Sequence, residues 1–552
     1  TMEQFGVPAN TINGNTIQIF NKGKEVPVYV TTDGLMGPDD YIEFYGVHND
    51  GEWDSTLYRV HEWQANDRMS LFNDTAYYFL TWGSSPVTSH FVNVSNNIIN
   101  PPAKEPFCYS KSTYVGGGPR TFGYLSQGAP TQIGLTIYTS DFLATEGYID
   151  GWFNKSNRDF LMNTPHAYSS GTAELKLQLV GGLEDEHNLT MSVNGNLLAS
   201  PVYTGWIVMH FDLEIPDVSW LSSPTSTLSF SSAASPSPND YNGISWLELR
   251  YPREFNFDES NSAIFTLEST GASQYIELSN FFEDGTNPLL YDFDNKLRLE
   301  GIVENDTDKW LLPASAYPER NVLVIANNLT AINSVDSLWP VNFVDFSNPG
   351  NQGNFIMITH PQLLTDSLGN NNVEQYRQWK QDNGYQAKTV SIEDLYDQFA
   401  YGIRYHISAV RKFAQYIVNK WPQDSRYFFL IGKGIEFAWC NNTPYTREQC
   451  FVPTFGYPGS DELLTAFGTN LKPLIPVGRI SVINGGEVGD YLSKAKEFVN
   501  AQNSGPQTIA HSGWMKNVIH LCGGNTVSDQ EYFLSYLNSY KALIEDPYYG
   551  GK

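Results

Sequence analysis

The stretch that decides the fold of this protein is Phe355-Ile356-Met357-Ile358-Thr359, a run without a charged side chain. Apolar residues at consecutive positions, and not only at alternate ones, are typical of a strand buried on both faces of a parallel sheet. Val373, Tyr376 and Trp379 follow at helical spacing, and residues 387–390 form the next strand-like run. The order strand, helix, strand predicts two parallel strands joined by a helix that crosses over the sheet.

The same alternation continues to the end of the sequence. Strand-like runs lie at 427–431, 474–480 and 517–521, and helical stripes lie at 407–421 and 488–498. We therefore expect an α/β domain with a mainly parallel sheet over residues 346–552, incomplete at its C-terminal end. Ser528-Asp529-Gln530-Glu531 has the pattern of a capping box and predicts the start of the last helix.

The residues before this domain carry short alternating strands and turn residues instead of helical stripes. Asn21-Lys22-Gly23-Lys24 and Asn194-Gly195 each separate two strand-like runs, and Asn-Gly is the strongest short signal for a tight hairpin. We predict N-terminal all-β domains of the β-sandwich type: a β-rich domain at 1–100, a β-sandwich at 101–255 and a small β domain at 256–345. The chain as a whole is predicted to be multidomain.

The composition limits the partners. The chain has 552 residues with 33 Lys and Arg against 60 Asp and Glu, so its formal net charge is -27. This charge argues against nucleic acid, whose phosphates are bound by basic side chains, and against electrostatic docking on an anionic membrane. No apolar run approaches the ~20 residues that span a bilayer. We expect an extracellular protein without a transmembrane segment.

Chemistry is expected at the carboxyl ends of the parallel strands, because ligands of open α/β sheets bind there. Four such ends are predicted, at His360, Gly432-Lys433-Gly434, Gly478-Arg479 and Cys522-Gly523-Gly524. None has the spacing of a P-loop, of a Gly-x-Ser-x-Gly nucleophile elbow or of a His-Glu-x-x-His zinc site. His360, His511 and His520 are isolated, so we predict structural roles for them. The residues by themselves identify no catalytic group and no metal site.

The cysteines and one acidic stretch leave alternatives open. Cys440 and Cys450 flank a loop rich in Asn, Thr and Pro, where a disulfide would hold the loop. Two free thiols are the alternative, and Cys440 could in principle serve as a nucleophile. Cys522 ends an apolar run, so we expect a buried small hydrophobic residue. The acids of residues 49–54 could hold calcium, although such residues more often form turns.

Several segments have an order and spacing that carry a family resemblance. In the α/β region they are Phe355-Ile356-Met357-Ile358-Thr359-His360-Pro361, Trp379-Lys380-Gln381-Asp382-Asn383-Gly384-Tyr385, Phe429-Leu430-Ile431-Gly432, Val452-Pro453-Thr454 with Ser460-Asp461, and Pro476-Val477-Gly478-Arg479-Ile480. They resemble the gingipain-type (C25) cysteine peptidases. Tyr41-Ile42-Glu43-Phe44-Tyr45-Gly46 and Tyr251-Pro252-Arg253, ahead of them, resemble the PorU branch. That branch comprises surface sortases of the type IX secretion system in Bacteroidetes-like bacteria.

The resemblance implies a caspase-like α/β domain in which a Cys-His dyad cleaves peptide bonds. The thiolate attacks the carbonyl, and the histidine transfers the proton. The His of that dyad lies in a Gly-His-Gly or Gly-His-Ser motif, and neither this motif nor its partner Cys is present up to Lys552. We therefore expect the dyad beyond Lys552 and assign no catalytic residue within the chain. Whether the chain is itself an enzyme stays open.

The resemblance also assigns one binding residue. Asp529 stands where gingipains carry the acid of the specificity pocket, and an acid there could pair with a basic substrate side chain. The alternative is that Asp529 only caps the last helix. Lys433 stands where gingipains carry an Asp near bound calcium, so calcium is an optional cofactor and none is required.

By resemblance, the expected function is that of a sortase on the extracellular side of the outer membrane. It would remove C-terminal sorting domains from secreted cargo proteins and attach the cargo to surface lipopolysaccharide, together with outer-membrane components of the type IX secretion system. One alternative is a non-catalytic attachment or scaffold subunit of that machinery. Another is a carbohydrate-binding surface protein in which residues 101–255 bind sugar.

Overall fold

The chain separates into two compact units in a computed structural model. The model describes residues 2–118, 120–122, 139–282, 285–335, 337–422, 426–440, 443–468, 471–506 and 508–552. The first unit comprises Thr1–Pro361 with Tyr385–Ser481, and the second comprises Gln362–Gly384 with Val482–Lys552. Each unit is thus assembled from two separate segments of the chain.

The N-terminal region contains short strands and 3₁₀ turns. Its strands are β1 (Ile17–Asn21), β2 (Lys24–Val26), β3 (Val28–Val30), β4 (Ile42–Phe44), β5 (Phe79–Trp82) and β6 (Val92–Asn93). β1 pairs antiparallel with both β2 and β5. The turn between β1 and β2 has φ of 47° at Lys22 and 75° at Gly23. Two central residues with positive φ are what a type I′ hairpin requires, so the predicted hairpin is confirmed.

Two facing sheets follow. Their strands and the connecting ones are β7 (Cys108–Val115), β8 (Arg120–Phe122), β9 (Glu146–Tyr148), β10 (Trp152–Asn154), β11 (Asn157–Asn163), β12 (Ala173–Gly182), β13 (Glu186–Asn188), β14 (Thr190–Val193), β15 (Asn196–Ala199), β16 (Val202–Thr204), β17 (Ile207–Ile215), β18 (Thr225–Ser231), β19 (Tyr241–Arg253) and β20 (Asn256–Ser260). β17, β12, β19 and β7 are neighbours in the large sheet, and β11, β18, β14 and β15 form the second. One buried core holds side chains of both: Leu175, Leu177, Leu247, Phe160 and Phe230. The predicted β-sandwich is confirmed.

The large sheet continues into the third β region. The strands there are β21 (Ser262–Glu268), β22 (Gln274–Phe281), β23 (Leu289–Asp292), β24 (Leu297–Glu300), β25 (Ile302–Val303), β26 (Thr307–Leu312) and β27 (Glu319–Ile325). β21 pairs with β27, and Thr266 of β21 lies opposite Tyr109 of β7. The sheet therefore crosses residue 255, where the sequence predicts a domain boundary. β20, β22, β26 and β25 form a further sheet.

The α/β region carries four parallel strands among the described residues. They are β28 (Phe355–Thr359), β29 (Ala387–Ser391), β30 (Tyr427–Ile431) and β31 (Val477–Ile480), in the order β29-β28-β30-β31. All five residues of β28 are buried, as its continuous apolar run predicts. The helices are α1 (Asn372–Asp382), α2 (Ile392–Phe399), α3 (Ser408–Lys420), α4 (Phe437–Cys440), α5 (Pro444–Glu448), α6 (Gly485–Asn503), α7 (Ile509–Ser512) and α8 (Val527–Ile544). The predicted parallel sheet is confirmed.

The core of this sheet includes residues from far earlier in the chain. Ile356 and Phe428 of the strands pack in one cluster with Leu395 of α2 and Phe413 of α3. The same cluster contains N-terminal and central side chains: Leu57, Tyr58, Leu71, Phe72 and Phe142. The residues before the α/β region therefore complete its hydrophobic core.

The second unit is built on α1 and α6. The rings of Tyr376 and Tyr491 stack with centroids 6.2 Å apart, and Nδ2 of Asn372 donates to the carbonyl of Gly485 at 2.9 Å. α8 has no buried residue. Within the described ranges, no helix has the length and apolar character needed to cross a bilayer.

Three predictions for the C-terminal segment are wrong. Residues 517–521 do not form a strand, and Cys522 is exposed. Apolar residues alone do not make a strand, because its N–H and C=O groups need a neighbouring strand to pair with; here the Val518 N–H donates instead to the carbonyl of Lys552. The last helix begins at Val527 and is capped by Thr526 rather than by Ser528.

Candidate functional site at the carboxyl edge of the parallel sheet

The carboxyl ends of β28 and β29 carry a charged cluster. His360 follows β28, and its Nε2 lies 3.2 Å from Oε1 of Glu393 in the first turn of α2. Nε of Arg404 lies 3.0 Å from the other carboxylate oxygen. Burial acts to raise the pKa of Glu393, but the hydrogen bond with His360 and the charge of Arg404 together hold this pKa below its usual value. The carboxylate is therefore ionised and can orient the imidazole.

Sequence reasoning missed these partners. The sequence predicts an isolated His360, whereas the structure places the Glu393 carboxylate beside it and the Arg404 guanidinium on the far side of that carboxylate. The available signal was Ser391, which ends β29 and caps α2 through a hydrogen bond to the Glu393 N–H. A capped helix start directly after a parallel strand brings its first-turn acid to the carboxyl edge of the sheet.

Arg479 of β31 closes the other half of this edge. Nε and Nη2 form a bidentate pair with the two carboxylate oxygens of Asp461, each at 2.7 Å. Nη1 donates to the carbonyls of Gly432 and Val452 at 2.8 Å, and Nη2 donates to Pro453 at 3.2 Å. Five N–H donors meet five acceptors, so the guanidinium is fully used. Arg479 holds the loops after β30 together and has no donor left for a substrate.

Cys440 and Cys450 lie side by side, and the structure has each as a free thiol. Both are buried, and their side chains are hydrogen-bonded to each other. This hydrogen bond and burial raise the pKa of the Cys440 thiol. A buried thiol with a raised pKa is a poor nucleophile, which argues against a catalytic role for Cys440. The two cysteines that the sequence predicts to be bonded are thus neighbours in space. The disulfide between them stays a prediction.

Asp529 lies in the first turn of α8 in the second unit. Its Oδ2 accepts the N–H of Thr526 at 3.0 Å, and its own N–H donates to Oγ1 of Thr526 at 3.1 Å. This reciprocal pair is a capping box. The helix-cap alternative is therefore present in the structure, and the substrate-binding role of Asp529 stays a prediction.

The turn after β30 does not fit a calcium ion. Calcium takes oxygen ligands, mostly carboxylates. Lys433 brings an ammonium group to this turn, and both carboxylate oxygens of nearby Asp461 bind Arg479. In the part of the chain that the structure describes, no three His, Cys, Asp or Glu side chains gather as a metal site. A dependence on calcium through other residues stays a prediction.

The acidic stretch at 49–54 forms a turn, as predicted, because Oδ1 of Asp50 accepts the N–H of Glu52 at 3.0 Å, and its last acid has a further role. Asp54 is fully buried within a 3₁₀ helix, Glu52–Leu57. Its Oδ2 accepts the N–H of Leu71 at 2.7 Å, and its Oδ1 accepts the hydroxyl of Ser70 at 3.2 Å. The carboxylate is thus an internal acceptor that organises the 70–72 segment.

Comparison with known proteins identifies the α/β region. Residues 348–549 match the model of Peptidase family C25. This region belongs to peptidase family C25. The match covers the parallel sheet, the charged edge described above and the segment that bears Asp529, so the family resemblance of the sequence is confirmed.

The fold of nearly the whole chain is similar to one solved structure. Dimeric latent PorU from Porphyromonas gingivalis superposes with a TM-score of 0.50 at 12% identity, covering 97% of this chain and 51% of that chain. The chain therefore spans about half the length of that protein. At this identity the likeness shows a common fold, which includes the β regions ahead of the C25 segment.

Other comparisons add nothing on function. The CBM36-1 domain of a xylanase from the hindgut metagenome of Trinervitermes trinervoides matches 26% of this chain at 11% identity, covering 95% of that domain with a TM-score of 0.16. A β-porphyranase from Bacteroides plebeius matches 43% of this chain at 10% identity, covering 30% of that enzyme with a TM-score of 0.15. TM-scores this low do not indicate a common fold. No curated protein matches the sequence.

Proposed function

We propose that this chain is part of a PorU-like cysteine peptidase that acts as a type IX secretion sortase on the extracellular side of the outer membrane. The whole protein removes C-terminal sorting domains from secreted cargo and attaches the cargo to surface lipopolysaccharide. One observation carries the proposal: the C25 match of residues 348–549 occurs in a chain whose fold follows PorU over 97% of its length. The first likeness alone would support only a peptidase.

The proposed chemistry is acyl transfer through a Cys-His dyad. The thiolate attacks the scissile carbonyl and expels the sorting domain as an amine, which takes a proton from the histidine. An amine on the lipopolysaccharide then attacks the thioester, forming an amide and releasing the thiol. Cys108, Cys440 and Cys450 are buried, and the 552 residues contain no Gly-His-Gly or Gly-His-Ser motif to pair with the exposed Cys522, so we assign the dyad to residues outside this chain.

The test uses the native cell. The gene is deleted, and a secreted protein that carries its own C-terminal sorting domain is followed by intact mass and by lipopolysaccharide blotting. We expect cargo of full mass, unattached to lipopolysaccharide, and restoration by the complete gene. Cargo that is trimmed and attached as in the parent cell would overturn the proposal.

The second candidate is a non-catalytic attachment or scaffold subunit of the same machinery. It is favoured by the burial of those three cysteines, since none is placed as a nucleophile. The two candidates differ in the protein purified from its native cell. A sortase has a mass well above 62.0 kDa and is labelled by a thiol-directed peptidyl acyloxymethyl ketone. A scaffold subunit is not labelled by that probe, although its deletion still impairs attachment.

A further inference from the structure

A cleft of about 350 Å³ opens beside a short hairpin of the β-sandwich region. Its walls combine two indoles, aliphatic side chains and a carboxylate: Trp63, Trp206, Leu143, Ile207 and Glu184. All of these belong to the first unit. The volume lies within the range of roughly 300–1,000 Å³ that is typical of small-ligand pockets. Neither the proposed sortase chemistry nor the edge of the parallel sheet uses this cleft.

The turn that presents Trp206 is fixed by a buried polar pair. Gly205, directly before it, has φ of 84°, and its carbonyl lies 3.2 Å from Nε2 of His187. Nδ1 of His187 lies 2.9 Å from Oδ1 of Asp240, and both side chains are fully buried. Trp152 packs edge-on against the Trp206 ring, with centroids 6.2 Å apart. Trp206 is therefore held in one place although it is only half-buried.

One side of the Trp63 ring packs against the protein, and the other side lines the cleft. It packs against the core of the parallel sheet and is itself half-buried. A purely structural role explains its inner face. Trp63 and Trp206 thus contribute two indole side chains to the walls of one concave site.

The charged side chains at the cleft are acidic. Glu186 of β13 lies opposite Thr204 of β16, and directly opposite residues of an antiparallel pair point to the same side of the ladder. Thr204 lines the cleft, so Glu186 lies on the same side as Glu184. Both glutamates are exposed, and none of the described residues that line the cleft is basic.

We propose that this cleft binds an alkyl ammonium or guanidinium group, of the kind that ends a lysine or arginine side chain. The faces of indole rings attract cations, and this attraction is strongest for Trp. Ammonium and guanidinium groups are donors only, which suits carboxylate acceptors such as Glu184. The aliphatic stem of such a ligand packs on Leu143 and Ile207, as the stems of Lys and Arg pack on apolar surfaces elsewhere. The net charge of -27 further concentrates cations near the protein.

The first experiment is a calorimetric titration of the 552-residue chain. The probes are Nα-acetyl-lysine-N-methylamide, its Nε-acetylated form, 1,5-diaminopentane and methyl β-D-glucopyranoside. We expect the lysine derivative to bind with a Kd on the order of 1 mM and Nε-acetylation to abolish binding, because it removes the charge. Tighter binding of the lysine derivative than of the diamine identifies a polypeptide side chain as the source of the cation, and the reverse identifies a free polyamine.

Matched variants complete the test. Glu184→Gln and Trp206→Ala should each weaken binding of the lysine derivative by about five- to tenfold. Glu214→Gln, an exposed acid on β17, and Trp439→Ala, an exposed indole on α4, should leave it unchanged. Equal binding of the acetylated probe, equal losses in the controls, or preference for the glucoside would overturn the proposal, and the last result would instead indicate a sugar site.

Discussion

Nε2 of His406 lies 3.0 Å from Oδ1 of Asp54, and both side chains are fully buried. The two residues join the N-terminal region to the start of α3 in the α/β region. Nδ1 of His406 accepts the N–H of Ser408 at 3.1 Å, so the hydrogen of the neutral imidazole is on Nε2 and is donated to Asp54. With Leu71 and Ser70 also donating, the buried carboxylate has a donor on each side.

Removing this histidine should destabilise the first unit. His406→Ala leaves the Asp54 carboxylate buried with one donor fewer, and we expect a loss of about 2–4 kcal/mol in the free energy of unfolding. Urea denaturation followed by Trp fluorescence measures it, with His520→Ala as the exposed control. The double variant with Asp54→Asn should lose less than the sum of the single variants. Additive losses would show that the two side chains do not interact.

Glu146 should make stability depend on pH. Burial raises the pKa of Glu146 to about 8 from its ordinary value of 4.5, against the opposing hydrogen bond from the Leu143 N–H. Between these two pH values the folded protein holds a proton that the unfolded chain releases, so the free energy of unfolding falls as pH rises from about 4.5 to about 8. A Gln side chain keeps the acceptor oxygen without the charge. Glu146→Gln should therefore gain stability over the wild type across this interval, by at most about 1.4 kcal/mol per pH unit.

Melting temperatures at pH 5, 6.5 and 8.5 check this prediction. The difference between variant and wild type should increase in that order. Glu497→Gln, at an exposed position on α6, is the matched control and should show no such trend. A constant difference between Glu146→Gln and the wild type at all three pH values would contradict the protonated buried state.

Arg479→Lys should loosen the loops at the carboxyl edge of the sheet. Lysine has a compact ammonium and cannot bind Asp461 through two parallel hydrogen bonds while also reaching the carbonyls of Gly432 and Val452. We expect a loss of about 2–4 kcal/mol and faster cleavage by chymotrypsin within residues 451–468, identified by mass spectrometry. Arg377→Lys changes an exposed pair with Glu374 on α1 and should cost about 0.5 kcal/mol or less. Equal cleavage rates in both variants would contradict the proposed role of Arg479 in holding these loops.

Thiol titration tests the cysteine pair. In the folded protein only the exposed Cys522 should react quickly with Ellman's reagent, because Cys108, Cys440 and Cys450 are buried and burial raises the pKa of Cys108 to about 12. For protein kept oxidised, we expect two reactive thiols after unfolding without reductant and four after reduction. Four thiols in both samples would show that Cys440 and Cys450 stay reduced.

Asp529 and Thr526 separate helix capping from substrate binding. Asp529→Ala and Thr526→Ala each break the same capping box, so both should weaken the start of α8 by about 1 kcal/mol, measured as faster hydrogen exchange at residues 527–530. In the whole protein, only Asp529→Ala should also raise KM, by about tenfold, for substrates with a basic side chain. Identical kinetics of the two variants would assign Asp529 to the cap alone.

The elements that the sequence predicts correctly are those whose signal is local. The hairpin at Lys22 and Gly23 needs only two residues that tolerate positive φ, and β28 needs only a continuous apolar run. The predicted strand at 517–521 is wrong because its signal is not local. Its apolar residues are as strand-like as those of β28, but a strand is completed by hydrogen bonds to another segment, and that pairing is not encoded in the run itself.

By itself, the sequence determined the alternation of strand and helix from β28 to α6, the β-rich character of the residues before it and the resemblance to peptidase family C25. Each follows from side-chain period or residue order along a short segment. Only the tertiary structure decided that Asp54 contacts His406 and that Glu393 contacts His360. It also decided that every N–H of the Arg479 guanidinium donates to a neighbouring loop, and that two indoles line one acidic cleft. These relationships join residues distant in sequence, and hydrogen bonds and burial depend on distance in space, which no local pattern specifies.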